Sequence, residues 1–180
     1  AGFVQRIRAR ATTVGLANPY IVGEELVRTY KHATLLKSAG FDAMADYAPA
    51  YGGGTQLRDQ APPYASASAS LIAYYNSHNL GAMTFVPSMT LQYYPWPRAT
   101  SNKTHHYGLP KPGEIAARMK MVLDYTAAHP VECDAQTIFM YSWNEHSEGG
   151  GLCPTMGSSP QYAPVRWKLD EVGATLASYK

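Results

Sequence analysis

Charge is scarce in this 180-residue chain. Only 16% of residues are charged, 15 basic against 13 acidic, and the net charge is +2. That balance asks for no nucleic acid, no anionic membrane and no strongly charged partner. Long apolar runs are missing as well. None approaches the roughly 18 residues of a membrane span, so no membrane insertion is expected. There is no Gly-x-Gly-x-x-Gly after a strand pattern, and Gly52-Gly53-Gly54 lacks the lysine of a phosphate loop. No cofactor is therefore expected. His105-His106 has no third ligand at motif spacing, so no metal is expected either. Ser142 and Ser147 have His146 nearby but no Gly-x-Ser-x-Gly elbow, which argues against a serine hydrolase. The first six residues, Ala1 to Arg6, lead into a basic amphipathic stretch rather than a secretory leader.

Cysteine is thin. Cys133 and Cys153 flank one predicted strand. A seven-residue strand spans roughly 23 Å, whereas a disulfide needs Cα atoms within about 7 Å. Two free thiols are expected unless the following loop folds back. Asn102-Lys103-Thr104 is a glycosylation sequon in a polar stretch and leans towards a secreted or cell-surface protein.

What the chain does have is apolar material and tyrosine. Hydrophobic residues reach 46%, enough for a sizeable core, which excludes wholesale disorder. The 14 tyrosines and three tryptophans supply flat amphipathic surface, useful against sugars and equally usable as packing.

Periodicity predicts a helix over residues 2–14, a short strand over 19–24 and a helix over 26–38 capped by Gly40. A strand follows over 41–47, then a glycine loop at 52–54 taken as mobile, a helix over 65–77 and a strand over 82–87. A long loop over 88–112 carries aromatics, prolines and histidines. A helix over 114–128, a strand over 137–143 and a last helix over 165–178 complete the chain. Strand and helix alternate, which signals parallel βαβ units. The polar, aromatic-rich segments follow strand C-terminal ends, where a (β/α)8 barrel carries its site. A whole barrel takes about 250 residues. The predicted fold is thus α/β, the C-terminal half of a (β/α)8 barrel over residues 1–180, with the N-terminal half absent. A small four-stranded α/β sheet is the alternative.

The most informative segment runs from Tyr141 to Thr155. An apolar strand leads straight into Glu145 and Glu148, three positions apart, so a helical turn puts both on one side. Paired acids suit glycosidic bond cleavage, one kept neutral to protonate the leaving oxygen and the other ionised. Trp143 offers a ring face to a sugar, and Asn144 offers donors and an acceptor to hydroxyls. The plainer reading is a solvated loop with two surface acids.

Trp143-Asn144-Glu145-His146-Ser147-Glu148-Gly149-Gly150, then Pro154-Thr155, resembles the WNEWxEG…EPT signature of glycoside hydrolase family 99-like (WbsX-like) proteins. Pro19 to Glu24, Gly40 to Tyr47, and Phe85 to Thr90 with Pro95-Trp96-Pro97-Arg98 resemble earlier strands and loops of that family, so the likeness spans about residues 15–160. Three positions depart from it. His146 stands where an aromatic is frequent, Cys153 where an acid commonly precedes the proline, and Gln92 to Trp96 replaces a Gly-Trp-Asp run. The resemblance implies a retaining hydrolase acting on an oligosaccharide or polysaccharide. Glu145 would be the base on the sugar 2-hydroxyl, which attacks the anomeric carbon, and Glu148 the acid and then the base. The strand count makes the missing N-terminal half of the same barrel an expected partner. The rival readings are a catalytically silent sugar-binding or structural barrel, and a partner of glycosyltransferases in polysaccharide assembly.

Further binding residues are expected at strand ends and in the long loop. Glu24 ends the first strand and is placed to meet a hydroxyl, or else simply to sit as a helix N-terminal acid. Tyr47 ends the second strand, beside Asp46. Tyr93, Tyr94, Trp96 and Arg98 are expected to wall the site, since large groups among prolines are costly to leave solvated.

Overall fold

Helices separate the main parallel strands in the computed structural model, which describes residues 2–26, 29–47, 55–57, 61–77, 81, 83–94, 103–148, 150–157 and 164–179. In chain order these are α1 (Phe3–Thr13), β1 (Val22–Glu25), α2 (Tyr30–Ala39), β2 (Ala43–Asp46), β3 (Thr55–Leu57), α3 (Tyr64–Ser77), β4 (Thr84–Val86), β5 (Ser88–Thr90), β6 (Lys103–His105), α4 (Glu114–Ala128), β7 (Phe139–Tyr141), a 3-10 turn (His146–Glu148), β8 (Thr155–Met156), β9 (Pro164–Val165) and α5 (Trp167–Ser178). The glycine loop at 52–54 lies outside the described residues.

Local chemistry sets the boundaries. α2 begins at Tyr30 rather than near Leu26 because Thr29 caps it, its Oγ1 accepting from the His32 N–H at 3.1 Å. It ends at Gly40, which takes the left-handed conformation at φ 94° that side chains resist.

β1 pairs parallel with β2, Val22 opposite Ala43 and Glu25 opposite Asp46. β2 pairs parallel with β4, and β5 pairs parallel with β7. β4 and β5 are two parts of one extended run interrupted at Pro87, which has no N–H for the ladder. Its carbonyl still accepts from Phe139 N–H at 2.8 Å, tying the run to β7. The spatial order is therefore β1, β2, β4/β5, β7. All four expected strands are parallel neighbours in chain order, half the strand count of a (β/α)8 barrel. Two small antiparallel pairs, β3 with β6 and β8 with β9, are built from the connections.

The sheet has two unlike faces, because side chains alternate along each strand. Met44, Phe85 and Met89 point to the helices and join Tyr64, Leu71 and Tyr75 of α3 and Ile115, Met119 and Val122 of α4. On the other face Ala43, Ala45 and Val86 pack with Val22 and Phe139 in a much smaller cluster. Gly23 belongs to the helix face. A Cβ there would come within 2.7 Å of a Leu36 methyl, so β1 rests directly on α2.

The stretch expected as one long loop, residues 88–112, is more ordered than that. It opens with β5 and contains β6, and its His106 and Tyr107 are fully buried. The reason is Arg118 of α4, whose guanidinium is itself buried. It donates to Ser68 Oγ at 2.8 Å, Thr90 O at 2.8 Å, Tyr107 OH at 3.1 Å and Tyr64 O at 3.1 Å. It also lies over the Tyr64 ring, 3.8 Å from its centre. One side chain thus ties α3, β5 and the segment after β6 to α4. Burial pushes the Tyr64 and Tyr107 phenols up, against the opposing pull of Arg118.

Both cysteines are free thiols, Cys133 buried and Cys153 partly exposed. Among the described residues no helix is long and apolar enough to cross a membrane.

Candidate active site

β7 leads into a loop that folds back on itself. Ser142 begins it, and its Oγ accepts from Glu145 N–H at 3.2 Å, a short side-chain-to-backbone turn. Gly150 N–H donates to Glu145 O at 2.9 Å, Leu152 N–H to Ser142 O at 2.9 Å and Cys153 N–H to Trp143 O at 2.8 Å. These bonds close residues 142–153 into a compact hairpin at the C-terminal end of β7. The 3-10 turn His146–Glu148 forms its tip.

Two glycines make the hairpin possible. A Cβ on Gly150 would approach the Gln92 carbonyl to 3.1 Å, so the loop lies directly against the segment after β5. A Cβ on Gly151 would reach within 2.3 Å of the His146 ring. The imidazole is therefore seated on glycine backbone, and its Nε2 lies 3.2 Å from Cys153 Sγ.

The expected site residues distribute as follows. Trp143 is 58% exposed. Asn144 is also exposed and Glu145 is half-buried. Glu148 lies in the 3-10 turn, and its side chain is outside the described residues. Glu24 is exposed and, one position on from Gly23, occupies the face opposite α2. Tyr47 follows β2 on that same face. Its ring meets Tyr141 edge-on, with centres 5.2 Å apart. Tyr93 packs on the helix-side core, and Tyr94 sits edge-on to His106 at 6.3 Å. Trp96, Arg98 and the sequon residue Asn102 lie outside the described residues. Asp46 belongs to the helix side, where it accepts from Tyr74 OH at 3.3 Å.

Sequence reasoning passed over four features. Ser142 organises the loop, and a serine three positions before an acid at a strand end is a visible turn signal. Tyr141 partners Tyr47, which strand alternation alone allows one to place on that face. The contact between His146 and Cys153 joins two positions noted only as separate departures from the family pattern. Lys168 of α5 donates to Gln92 Oε1 at 2.9 Å, and burial holds its ammonium below the usual lysine range.

A hollow of about 390 Å³ lies elsewhere, between the start of α1 and the end of α2, lined by Phe3, Val4, Ser38 and Phe41 among others. It sits at the N-terminal ends of the strands and holds no titratable side chain. The chemistry-bearing groups are at the opposite end.

Fold and loop together define a class: parallel α/β units in half-barrel arrangement, with two glutamates on a glycine-bounded loop at a strand's C-terminal end. Two solved structures are similar to the chain. One is the GH99 endo-α-mannosidase from Bacteroides thetaiotaomicron, 17% identical, with a TM-score of 0.48, covering 86% of this chain and 42% of that one. The other is the GH99 endo-α-mannosidase from Bacteroides thetaiotaomicron in complex with bis-tris-propane, 16% identical, with a TM-score of 0.43, covering 98% of this chain and 55% of that one. The chain spans about half the length of these structures. No protein-family model matches it, and no curated protein does.

Proposed function

We propose that the chain is the C-terminal half of a glycan-acting glycoside hydrolase barrel that cleaves with retention, using Glu145 and Glu148. The observation that carries this reading is the closed 142–153 hairpin, which holds Glu145 half-buried at the C-terminal end of β7 beside the exposed Trp143. In the first step Glu145 takes the proton of the sugar 2-hydroxyl while that oxygen attacks the anomeric carbon. Glu148 gives its proton to the departing glycosidic oxygen. In the second step Glu148 takes a proton from water, the water oxygen attacks the anomeric carbon, and Glu145 returns its proton to the 2-oxygen. Two inversions give net retention, and no protein nucleophile is needed. Trp143, Asn144, Glu24 and Tyr47 would contact the glycan, with Tyr93, Tyr94, Trp96 and Arg98 further along the loop.

The remaining four strands would come from the N-terminal half of the same barrel. They would continue the sheet from the outer edges of β1 and β7, which among the described residues pair on one side only. A secreted or cell-surface location, with Asn102 glycosylated, goes with this reading. A mass loss from the native protein on treatment with an N-glycosidase tests it.

The experiment is kinetic, on the full-length protein. Glu148→Gln should abolish turnover of an unactivated α-linked glycan, and lose less on a substrate with an activated leaving group. Glu145→Gln should lower both rates by roughly 10²–10⁴-fold, the usual worth of a general base. Parent and variants behaving identically on a broad glycan panel would reject the hydrolase. One observation favours a second reading, a silent sugar-binding or structural barrel: an imidazole and a thiol occupy positions where the resemblance leads one to expect an aromatic ring and an acid. Glycan binding without turnover by the parent would select it.

A further inference from the structure

The pair His146 and Cys153 does something the glutamates do not require. We propose that Cys153 is a nucleophilic thiol activated by the His146 imidazole, and that it takes small soft electrophiles, low-molecular-weight disulfides in particular, as a reversible modification site on this loop. The proposal stands whether or not the hydrolase is live.

The geometry is that of a nucleophile within hydrogen-bond reach of its base, Nε2 to Sγ 3.2 Å. The alternative acceptor for the thiol, the Pro154 carbonyl, is at 3.9 Å and so much the weaker partner. Chance contact between two exposed side chains is ordinary, but this one is built. Cys153 N–H is bound to Trp143 O, and Gly150 N–H to Glu145 O, so both ends of the pair ride on one closed hairpin. Gly151 alone leaves room for the ring, since any Cβ there would overlap it. Cys153 is partly exposed, so a small reagent reaches it. Cys133 is 1% exposed, with no route for a reagent, and serves as an internal control.

The step balances. The Sγ–H bond breaks and the proton passes to His146 Nε2. The freed electron pair on Sγ forms a bond to one sulfur of the disulfide, and the sulfur–sulfur bond of the reagent breaks. The departing thiolate takes the proton back from the imidazolium. The products are a mixed disulfide on Cys153 and one free small thiol, and an excess of small thiol reverses the reaction. The adduct would lie beside Trp143, because Cys153 and Trp143 share a backbone hydrogen bond.

The test uses 4,4′-dithiodipyridine on the folded full-length protein, with each cysteine followed by peptide mass mapping. Near pH 6.5 few ordinary thiols are ionised, so a base that takes the proton as the sulfur attacks should speed the reaction. Cys153 should react about threefold or more faster in the parent than in His146→Phe. That advantage should shrink as the pH approaches 9, where thiols ionise unaided. Glu145 and Glu148 belong to the same hairpin, and the Tyr141 ring edge faces Gly150 from β7. All three are present in both proteins, so the comparison isolates the imidazole. A parent-only measurement guards against a variant that fails to fold. Native Cys153 should outpace the same residue in the urea-unfolded chain at pH 6.5, while Cys133 should react only after unfolding. Equal rates with and without His146, native Cys153 slower than unfolded, or Cys133 reacting alongside it would each overturn the proposal.

Discussion

The two faces of the sheet differ in the size of what they bury. The helix face carries methionine and phenylalanine at Met44, Phe85 and Met89, locked against α3 and α4 with Arg118 at the centre. The opposite face carries alanine and valine low down, then serine, threonine and tyrosine towards the strand ends. Large side chains fill the space between layers and supply stability through buried area. Small ones leave room for whatever lies across from them. The large side chains thus lie on one side of the sheet and the small ones on the other. The division of labour follows from nothing more than the two-residue repeat of the strands.

That contrast can be broken by mutation. The largest effect should come from Arg118→Leu, which removes a charged donor from Ser68 Oγ, Tyr107 OH and the Thr90 and Tyr64 carbonyls, leaving those carbonyls the weaker Tyr107 and Ser68 hydroxyls. A loss of about 3–4 kcal/mol is expected by denaturant titration. A change under about 1 kcal/mol would show that the guanidinium is not the tie between layers. Next, Met89→Ala on the helix face should lose about 2–3 kcal/mol. Val86→Ala on the other face should lose about 1–2 kcal/mol, the worth of two carbon groups. Reversal of that order would overturn the comparison. Gly23→Ala, which pushes a methyl into Leu36, should destabilise by about 1–3 kcal/mol.

The alkaline limb of stability sharpens the same contrast. Burial and the Asp134 carboxylate beside it push Tyr20 from its ordinary 10.0 to about 12, and burial raises Tyr64 and Tyr107 as well. These groups hold protons more tightly when folded than when unfolded. Their contribution is therefore fully present below pH 10 and is lost as the pH climbs through the folded values. Phenolate absorbance should lag behind that of free tyrosine above pH 10 and then rise together with loss of circular dichroism. Simple independent titration near 10 would show Tyr64 and Tyr107 to be in contact with water. The smallest effect belongs to the site face: Trp143→Ala should shift stability by no more than about 0.5 kcal/mol while weakening glycan binding.

The strand order was legible because each βαβ unit repeats its own punctuation, apolar run, helix period and then glycine. Gly40 is the clearest case. What could not be read was the reach of Arg118. A lone arginine on an amphipathic helix looks like a solvated cation, and only the fold shows that Ser68, Thr90 and Tyr107 converge on it. For the same reason the 88–112 stretch read as a loop, since three-residue strands such as β6 are too short to show a period. Of the site, the position of Glu145 at a strand end was legible from the apolar run before it. The seating of His146 against Cys153 was not, because it depends on a chain reversal that separates them by seven positions in sequence and 3.2 Å in space.

Pro87 has one more consequence. By lacking a donor it divides the central run into a part that belongs to β1 and β2 and a part that belongs to β7. Amide protons on the two sides of it are held by different neighbours. Exchange with solvent deuterium should accordingly report two blocks rather than one, with β5 and β7 opening together and β1, β2 and β4 opening on their own schedule. The hairpin with the glutamates hangs from the first of these blocks. Its local breathing should accordingly be uncoupled from most of the sheet that supports it.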